Sequence, residues 1–306
     1  MNTARRAERL LIGLLALVWT TTLPATAPRE HRIDFGGVKL ALWEKSAAAP
    51  THTIVLLHGR TWSSLPDFDL QVPGKSRSVM DALAARGFAV FALDLPGYGG
   101  SARLPGGWLS PEEAVAAVAA TLRAPVVRGA SPGKRVLFGW SYGARVTHLA
   151  AQRHPELMSE VILFGYPGDP AQRVSPEAEP ASPPRQPTTK EAARSDFITP
   201  GSVDATVVEA FATAAVAATP VRSDWRKLEQ WNEVAPEKLQ LPVLLVHGVF
   251  DPYTPVDAQA RSFTKFGHPD RQWVILPHSD HAAQLENAHE AFIAAIVNFV
   301  LRPPAK

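Results

Sequence analysis

A serine between two glycines is the clearest candidate for chemistry in this chain. Residues 139–143 read GWSYG, the pattern G-x-S-x-G, directly after the apolar run 135–138 and directly before a helical stretch. A chain that turns sharply from strand to helix at a serine needs small residues on both sides of it, so that the backbone can pass closely. The turn presents the hydroxyl at a helix N-terminus, where developing negative charge is favoured. The pattern predicts that Ser141 is a nucleophile.

A serine hydroxyl attacks well only when a base removes its proton and an acid orients that base. Asp251 follows the apolar run 243–246, and His281 follows the run 273–276. Both residues are therefore expected at the carboxyl ends of strands, the edge of a parallel sheet where sites form. We predict that His281 is the base and that Asp251 is the orienting acid.

The sequence lacks the residues that several other kinds of site require. The chain has no cysteine, which removes disulfides, thiolate metal sites and a cysteine nucleophile. The histidines lie scattered near strand ends, with no H-x-x-x-H pair on a helix, so no metal site is predicted. No phosphate-binding or dinucleotide-binding loop follows the first strand. We expect no cofactor.

Apolar runs and helical stretches alternate along the chain, which predicts an α/β fold with a mostly parallel sheet. Continuous apolar runs are typical of strands that are buried on both faces. The predicted strands are 54–57, 88–93, 135–138, 161–164, 243–246 and 273–276, and the predicted helices of the core are 80–86, 111–123, 144–153 and 283–301.

The alternation is interrupted once, between residues 169 and 240. Residues 169–190 hold six prolines and predict a loop. An Ala-rich helix over 203–217 and a short helix over 223–231 are expected to follow. We interpret 169–240 as a cap inserted between two parts of one core, residues 28–168 and 241–306.

Four separated motifs resemble those of proteins with the α/β-hydrolase fold and a cap. They are LLHG at 56–59, DLPGYGGS at 94–101, GWSYG at 139–143, and the HG…D and His pair at 247–251 and 281. The chain order Ser141, Asp251, His281 is also the order of that fold. The resemblance spans residues 33–301 and implies an α/β-hydrolase with a serine nucleophile.

The resemblance also implies an oxyanion hole. In such proteins one backbone N–H follows the HG step and another follows the nucleophile, which correspond here to Arg60 and Tyr142. An arginine after the HG step is unusual, and its side chain has three open roles. It lies over the entrance, pairs with Asp67 or Asp69, or contacts a substrate carboxylate.

Other polar residues near these motifs have alternative interpretations. His278 is a rival base, and Asp169 is a rival acid because some family members supply the acid from the preceding strand. We prefer His281 and Asp251. Residues expected to have structural roles are Asp94, His58, His247 and His278. Tryptophans that either line an acyl pocket or pack in the core and cap are Trp62, Trp108, Trp140, Trp225 and Trp231.

The predicted activity is cleavage of a small-molecule carboxylic ester through an acyl-enzyme. A serine nucleophile argues against dehalogenases and epoxide hydrolases of this fold, which use an aspartate. Peptidase, thioesterase and carbon–carbon hydrolase activities stay open, as does a non-catalytic member that binds a ligand. A binder would not need the complete Ser141, Asp251 and His281 set. The oligomeric state is left open.

The N-terminus predicts export. Residues 1–27 combine a basic start, an apolar run over 10–19 and a small-residue end, as in a signal peptide. Pro28 would hinder cleavage after residue 27, so cleavage after residue 25 and an uncleaved anchor are alternatives, as is a buried amphipathic helix. We expect a periplasmic or secreted protein, with membrane association only through this segment.

The charge balance argues against nucleic acid as a partner. Residues 1–27 hold three of the 31 basic residues and one of the 29 acidic residues, so the rest of the chain carries 28 of each. No basic stripe is left to follow a phosphate backbone.

Overall fold

The computed structural model describes residues 27–303, apart from residues 177 and 179. The predicted export segment lies outside the described residues, except for its last residue. No helix within residues 27–303 is both long enough and apolar enough to span a membrane.

An eight-stranded sheet forms the centre of the molecule, in the order β1-β2-β4-β3-β6-β7-β9-β10. The strands β3, β4, β6, β7, β9 and β10 run parallel, while β2 is antiparallel to both β1 and β4. The strands of this sheet are β1 Arg29–Phe35, β2 Val38–Ser46, β3 His52–Leu57, β4 Phe88–Leu93, β6 Arg135–Trp140, β7 Glu160–Phe164, β9 Val243–Gly248 and β10 Arg271–Leu276. The mostly parallel sheet confirms the predicted fold class.

Helices cover both faces of the sheet. On one face, residues of α3 and α5 pack into an apolar core against β3, β6 and β7. On the other face, residues of α2 and α9 pack against the same strands. The helices are α1 Ser64–Phe68, α2 Val79–Ala84, α3 Pro111–Arg123, α4 Pro125–Arg128, α5 Tyr142–Arg153, α6 Lys190–Arg194, α7 Ala205–Ala218, α8 Val256–Lys265 and α9 His289–Val300.

Strong local signals explain the elements whose predicted bounds match the structure. All six residues of β4 are buried, as a continuous apolar run predicts. The helix α3 begins with Ser110 as its N-cap, Pro111 at the first helical residue and Glu113 closing a capping box. Capping boxes and an N-terminal proline define a helix start without help from distant residues.

The segment between β7 and β9 holds α6, α7 and a short strand, β8 (Asp224–Trp225). Helix α7 packs Val207, Phe211 and Ala212 against Trp62 and Leu70 of the core. This apolar contact places the loop after α6 above the carboxyl edge of the sheet.

The predicted helix over 223–231 was wrong. Residues Asp224–Trp225 form β8, which pairs in parallel with β5 (Trp108–Leu109), and a 3-10 helix follows at Leu228–Glu233. The Trp225 indole donates to the Tyr98 hydroxyl over 2.8 Å. These contacts come from residues more than 100 positions away, and they override the local helical pattern.

The last helix begins later than predicted. We expected it to start at residue 283, but α9 starts at His289. Before it, the Asp280 N–H donates to the Glu286 carboxyl (3.0 Å), and the His289 ring pairs with the Gln284 carbonyl (2.6 Å). These contacts hold residues 280–288 in a turn ahead of the helix. His281 lies in this turn.

Candidate active site

The GWSYG motif forms the sharp turn that its sequence predicted. Ser141 has φ 56° and ψ −120°, and its N–H donates to the Phe164 carbonyl over 2.9 Å. A Cβ on Gly139 would lie 2.1 Å from the Gly143 carbonyl oxygen, and a Cβ on Gly143 would lie 2.5 Å from the His58 carbonyl oxygen. No side chain fits at either glycine, so both are required by packing. A positive φ at a serine costs about 1–3 kcal/mol and is typical of functional sites.

Asp251 and His281 meet at the edge of the sheet. The two side chains join through His281 Nδ1 and Asp251 Oδ2 over 2.7 Å, and both residues are buried. The same carboxylate accepts from the Thr254 hydroxyl (2.6 Å) and from the Tyr253 N–H (2.9 Å). Burial acts to raise the pKa of Asp251, but the hydrogen bond and charge of His281 outweigh it and lower that pKa. A carboxylate at Nδ1 favours the tautomer of His281 that carries its proton on Nδ1 and leaves Nε2 as the acceptor.

The ring of His281 fits into a space that a glycine leaves open. A Cβ on Gly165 would lie 3.0 Å from His281 Nδ1 and Cε1, and Gly165 has φ +51°. The Trp140 indole donates to the His281 carbonyl over 2.7 Å, and the Tyr253 ring centroid lies 5.0 Å from the His281 ring centroid. The imidazole is therefore fixed by packing on its sides and by Asp251 at one nitrogen.

Ser141 and His281 open into one cavity of about 420 Å³. Its walls combine the predicted catalytic and oxyanion residues with aromatic side chains. The lining residues are Gly59, Arg60, Thr61, Trp62, Trp140, Ser141, Tyr142, Pro167, Asp196, Tyr253 and His281. Ligand cavities of a few hundred Å³ with few polar groups are typical small-molecule sites.

The two predicted oxyanion residues lie on either side of Ser141, the predicted nucleophile. Tyr142 is the first residue of α5, where a helix leaves its N–H groups without intrahelical acceptors. The loop before Arg60 runs close to the nucleophile, since a Cβ on Gly59 would lie 3.5 Å from Ser141 Cβ. Both residues line the cavity.

The Arg60 guanidinium forms a cation–π contact with an aromatic ring. Its guanidinium carbon lies 5.0 Å from the centroid of the Tyr142 ring. The predicted alternative of an ion pair with Asp67 or Asp69 was wrong. Asp69 binds Lys45 Nζ over 2.7 Å, and the fully buried Asp67 forms no ion pair among the described residues.

The rival catalytic residues lie elsewhere. Asp169 pairs with Arg261 over 2.6 Å, which holds its carboxylate away from His281. His278 is exposed, has φ 50° and faces Phe250 across 6.4 Å between ring centroids. Neither residue lines the cavity.

The predicted structural residues order the loops around the site. The His58 Nε2 accepts from the Leu95 N–H (3.1 Å), and its Nδ1 contacts the Gly59 carbonyl (2.8 Å). Asp94 accepts from the Ser64 N–H, the Gly100 N–H and the Trp43 indole, all within 2.9 Å. His247 Nδ1 lies 3.3 Å from the Thr254 hydroxyl, beneath Asp251.

Sequence reasoning missed one acidic residue of the site. Asp196, in the loop after α6, lines the cavity and accepts from the Trp62 indole over 2.5 Å. Burial raises the pKa of Asp196 to about 6, against the opposing influence of the nearby His281. No motif surrounds Asp196 in the sequence, so only the packing of α7 onto the core reveals its place.

Comparisons with known proteins agree with this architecture. The profile of the Alpha/beta hydrolase family matches residues 54–295. A serine hydrolase involved in carbazole degradation superposes with a TM-score of 0.65 and 22% identity, over 90% of this chain and 100% of its own. A thioesterase domain from the curacin biosynthetic pathway gives 0.63 and 20%, over 90% and 100%. An esterase from Thermogutta terrifontis gives 0.60 and 20%, over 88% and 96%.

At these identities, similarity to the solved structures shows the fold alone. The similar structures also include a meta-cleavage product hydrolase, with a TM-score of 0.64 and 17% identity over 89% of this chain and 97% of its own. No curated protein sequence matches the chain.

Proposed function

The chain belongs to the alpha/beta hydrolase family, and from that premise we propose that it is a serine hydrolase that cleaves carboxylic esters of small molecules. One observation carries the proposal. The Asp251–His281 pair, joined over 2.7 Å, opens with the strained Ser141 into the same cavity of about 420 Å³. A nucleophile, a base and an orienting acid are the groups that acyl transfer requires.

Acylation uses these groups in order. The Ser141 oxygen attacks the ester carbonyl carbon while His281 Nε2 takes the hydroxyl proton. Negative charge develops on the carbonyl oxygen, and the N–H groups of Arg60 and Tyr142 donate to it. His281 then gives its proton to the departing alcohol oxygen, which leaves an acyl group on Ser141.

Deacylation repeats the sequence with water. His281 takes a proton from water, whose oxygen attacks the acyl carbon, and the proton returns to Ser141 as the acid leaves. Asp251 keeps the imidazole in the tautomer that accepts at Nε2 and stabilises the imidazolium formed in each half of the reaction. The ester and water together supply every atom of the acid and alcohol products, and the enzyme returns to its starting state.

An oxygen ester suits the site because it makes few demands on the cavity. The cavity offers an aromatic surface from Trp62 and Trp140, which suits an apolar acyl or alcohol group. The proteins of similar fold include a thioesterase domain and a meta-cleavage product hydrolase. Thioesters and carbon–carbon bonds are therefore the first alternative substrates to compare.

The test is hydrolysis of 4-nitrophenyl esters of graded acyl length by the wild type, Ser141→Ala and a control, Ser195→Ala. We expect Ser141→Ala to lose about 10³-fold or more in kcat/KM. Ser195→Ala changes an exposed serine of the insertion and should leave kcat/KM unchanged. Activity that survives Ser141→Ala would overturn the mechanism.

Two further measurements separate ester hydrolysis from its alternatives. A serine-directed phosphonate should label the wild type at Ser141 and leave Ser141→Ala unlabelled, whereas an unlabelled wild type would indicate a ligand-binding protein. The same acyl group offered as an oxygen ester and as a thioester compares the two chemistries directly. A higher kcat/KM for the thioester would replace the esterase proposal.

A further inference from the structure

A second cavity adjoins the catalytic one. It has a volume of about 220 Å³ and shares Arg60 with the catalytic cavity, so we call it the side cavity. No catalytic group of the proposed mechanism other than the Arg60 backbone touches it. Its lining residues are Arg60, Trp108, Pro180, Pro184, Gln186, Arg222, Ser223, Asp224 and Trp225.

Positive charge dominates the side cavity. Arg60 and Arg222 line it, and neither forms an ion pair with a carboxylate among the described residues. Asp224 is the acidic residue of the lining, and its carboxylate accepts from the Arg185 N–H over 3.2 Å. Arginine presents five N–H donors in a planar fork that matches carboxylate and phosphate groups.

Hydrogen bonds from Arg103 fix the backbone that carries Arg222. Arg103 Nη2 donates to the carbonyls of Val221 (2.8 Å) and Arg222 (3.0 Å). Arg103 itself adds a third positive charge behind the cavity wall, and its buried Nη1 has no acceptor among the described residues. A site that binds an anion benefits from donors that are held in place before the ligand arrives.

Ser223 also contributes to this wall and is only 7% exposed. Its Oγ is directed toward Gly97, where an added Cβ would lie 2.5 Å from it, so the hydroxyl packs behind the wall and the donors that face the cavity are those of the arginines.

The aromatic walls are rigid. Trp108 and Trp225 face the side cavity from β5 and β8, which pair with each other. The Tyr98 hydroxyl accepts from the Trp225 indole and donates to the Arg60 carbonyl. One tyrosine therefore ties the wall of the side cavity to the loop that carries the predicted oxyanion donor.

The two cavities differ in their balance of charge: the catalytic cavity combines Asp196 with Arg60, whereas the side cavity combines Arg60 and Arg222 with Asp224. Asp196 faces the catalytic cavity, near His281 and within the electrostatic influence of Arg222. An anionic group is repelled by Asp196 once that carboxyl is ionised, whereas Arg60 and Arg222 attract it on the other side. A substrate with an anionic end would therefore enter with that end toward the side cavity.

We propose that the side cavity binds a carboxylate or phosphate group of the substrate, remote from the scissile ester, through the guanidinium groups of Arg60 and Arg222. This inference rests on the proposed ester hydrolysis and names the class of ester. Ester hydrolysis alone would not require any charge on the substrate.

The kinetic test compares esters matched in length. Mono-4-nitrophenyl glutarate carries its anion on the acyl side, and 4-nitrophenyl pentanoate is its neutral partner. Ethyl and carboxymethyl butyrate form a second pair with the anion on the alcohol side. We expect the wild type to prefer the anionic member of at least one pair by about tenfold or more in kcat/KM, the effect of one charged hydrogen bond.

Arg222→Gln should lower that anionic-to-neutral ratio about tenfold, and Arg222→Lys should lower it less. Arg194→Gln is the matched control, because Arg194 pairs with Glu209 on the surface of the insertion and should leave the ratio unchanged. A wild type without preference in either pair, or an equal loss on both members of each pair in Arg222→Gln, would overturn the proposal.

A binding measurement separates this proposal from the proposed hydrolysis. Glutarate and inorganic phosphate are titrated by calorimetry into Ser141→Ala and into Ser141→Ala combined with Arg222→Gln. Weaker binding of either anion in the double variant, by about tenfold, supports the side cavity even if no ester is hydrolysed, and the tighter anion identifies the chemistry. Equal or absent binding of both anions in the two proteins would overturn it.

Discussion

The position of Ser141 is determined by backbone geometry more than by contacts of its side chain. The residue has φ 56°, and its neighbours Gly139 and Gly143 pass within distances that admit no Cβ. His281 is placed in a similar way, because Gly165 leaves the space that its ring occupies. Three glycines thus determine where Ser141 and His281, the proposed nucleophile and base, lie. Asp251 is joined to His281 by a hydrogen bond between their side chains, so its contribution can be tested directly.

Asp251→Asn is expected to lower kcat for 4-nitrophenyl ester hydrolysis by about 10³-fold or more. The amide cannot hold the proton of His281 on Nδ1 and stabilise the imidazolium as a carboxylate does. KM should change little, because Asp251 lies behind the imidazole and does not line the cavity. The measurement is steady-state kinetics on the folded variants.

Asp169→Asn is the matched control for this prediction. Asp169 follows the strand from which some hydrolases take their acid, yet its carboxylate pairs with Arg261, whereas His281 pairs with Asp251. Its variant should keep activity within about twofold, because Asp169 neither pairs with His281 nor lines the catalytic cavity. A large loss in Asp169→Asn together with a small loss in Asp251→Asn would reverse the assignment.

At the scale of elements, the turn that carries His281 also holds the insertion in place. Asp280 accepts from the N–H groups of Ile198 (3.0 Å) and Thr199 (2.6 Å). Glu286 accepts from the Ser202 hydroxyl (3.0 Å) and from the Asp280 N–H (3.0 Å). Burial, together with the charge of Asp280, raises the pKa of Glu286 to about 8. The link between insertion and core therefore contains a carboxyl that is neutral at pH 7.

Glu286→Gln should make thermal stability less dependent on pH. The folded protein keeps the Glu286 proton up to about pH 8, whereas an unfolded chain releases it near the usual 4.5. Between these values the unfolded state binds fewer protons, so the stability of the wild type falls as the pH rises. Glutamine cannot ionise and keeps a donor toward Asp280, so the variant avoids this fall.

The measurement is the melting temperature between pH 5 and pH 8.5. We expect the wild type to lose about 5 °C more than Glu286→Gln over this range. Glu290→Gln is the control, because Glu290 is exposed and lies in the first turn of α9. Identical slopes for the wild type and Glu286→Gln would show that Glu286 is ionised in the folded protein.

For the whole molecule, stability comes from a sheet that is covered on both faces. The closing helix α9 packs Phe292 between Phe138 and Phe164 of the central strands, with ring centroids 5.9 Å and 4.9 Å apart. Phe138 and Phe164 belong to the two strands that also position Ser141 and Gly165. The last helix of the chain therefore supports the strands from which the site is built.

Phe292→Ala should lower the free energy of unfolding by about 3–5 kcal/mol, because it leaves a cavity in a fully buried aromatic cluster. Leu301→Ala removes an exposed side chain from the end of the same helix and should cost less than about 1 kcal/mol. Urea unfolding at 25 °C measures both. Esterase activity should persist in the folded Phe292→Ala variant, since Phe292 does not line the cavity. A loss below about 1 kcal/mol would contradict the role assigned to α9.

Local sequence patterns were sufficient to predict much of the fold. The apolar run of β4 and the capped helix α3 have the bounds that the sequence predicts, because burial on both faces and capping act within a few residues. The mostly parallel sheet was predictable for the same reason. The hairpin of β1 and β2 was not identified, because antiparallel pairing at the sheet edge leaves a weaker pattern in the sequence.

The sequence by itself determined the nucleophilic turn and the chain order of Ser141, Asp251 and His281, since a strand, a tight turn and a helix N-terminus are local features. Only the tertiary structure showed that Asp251 pairs with His281 while Asp169 pairs with Arg261. It also placed Asp196 in one cavity with His281, and Arg60 in one cavity with Arg222. Each of these depends on contacts between residues far apart in the chain. Such contacts are set by how the insertion and the helices pack on the sheet, for which no short stretch of sequence holds the information.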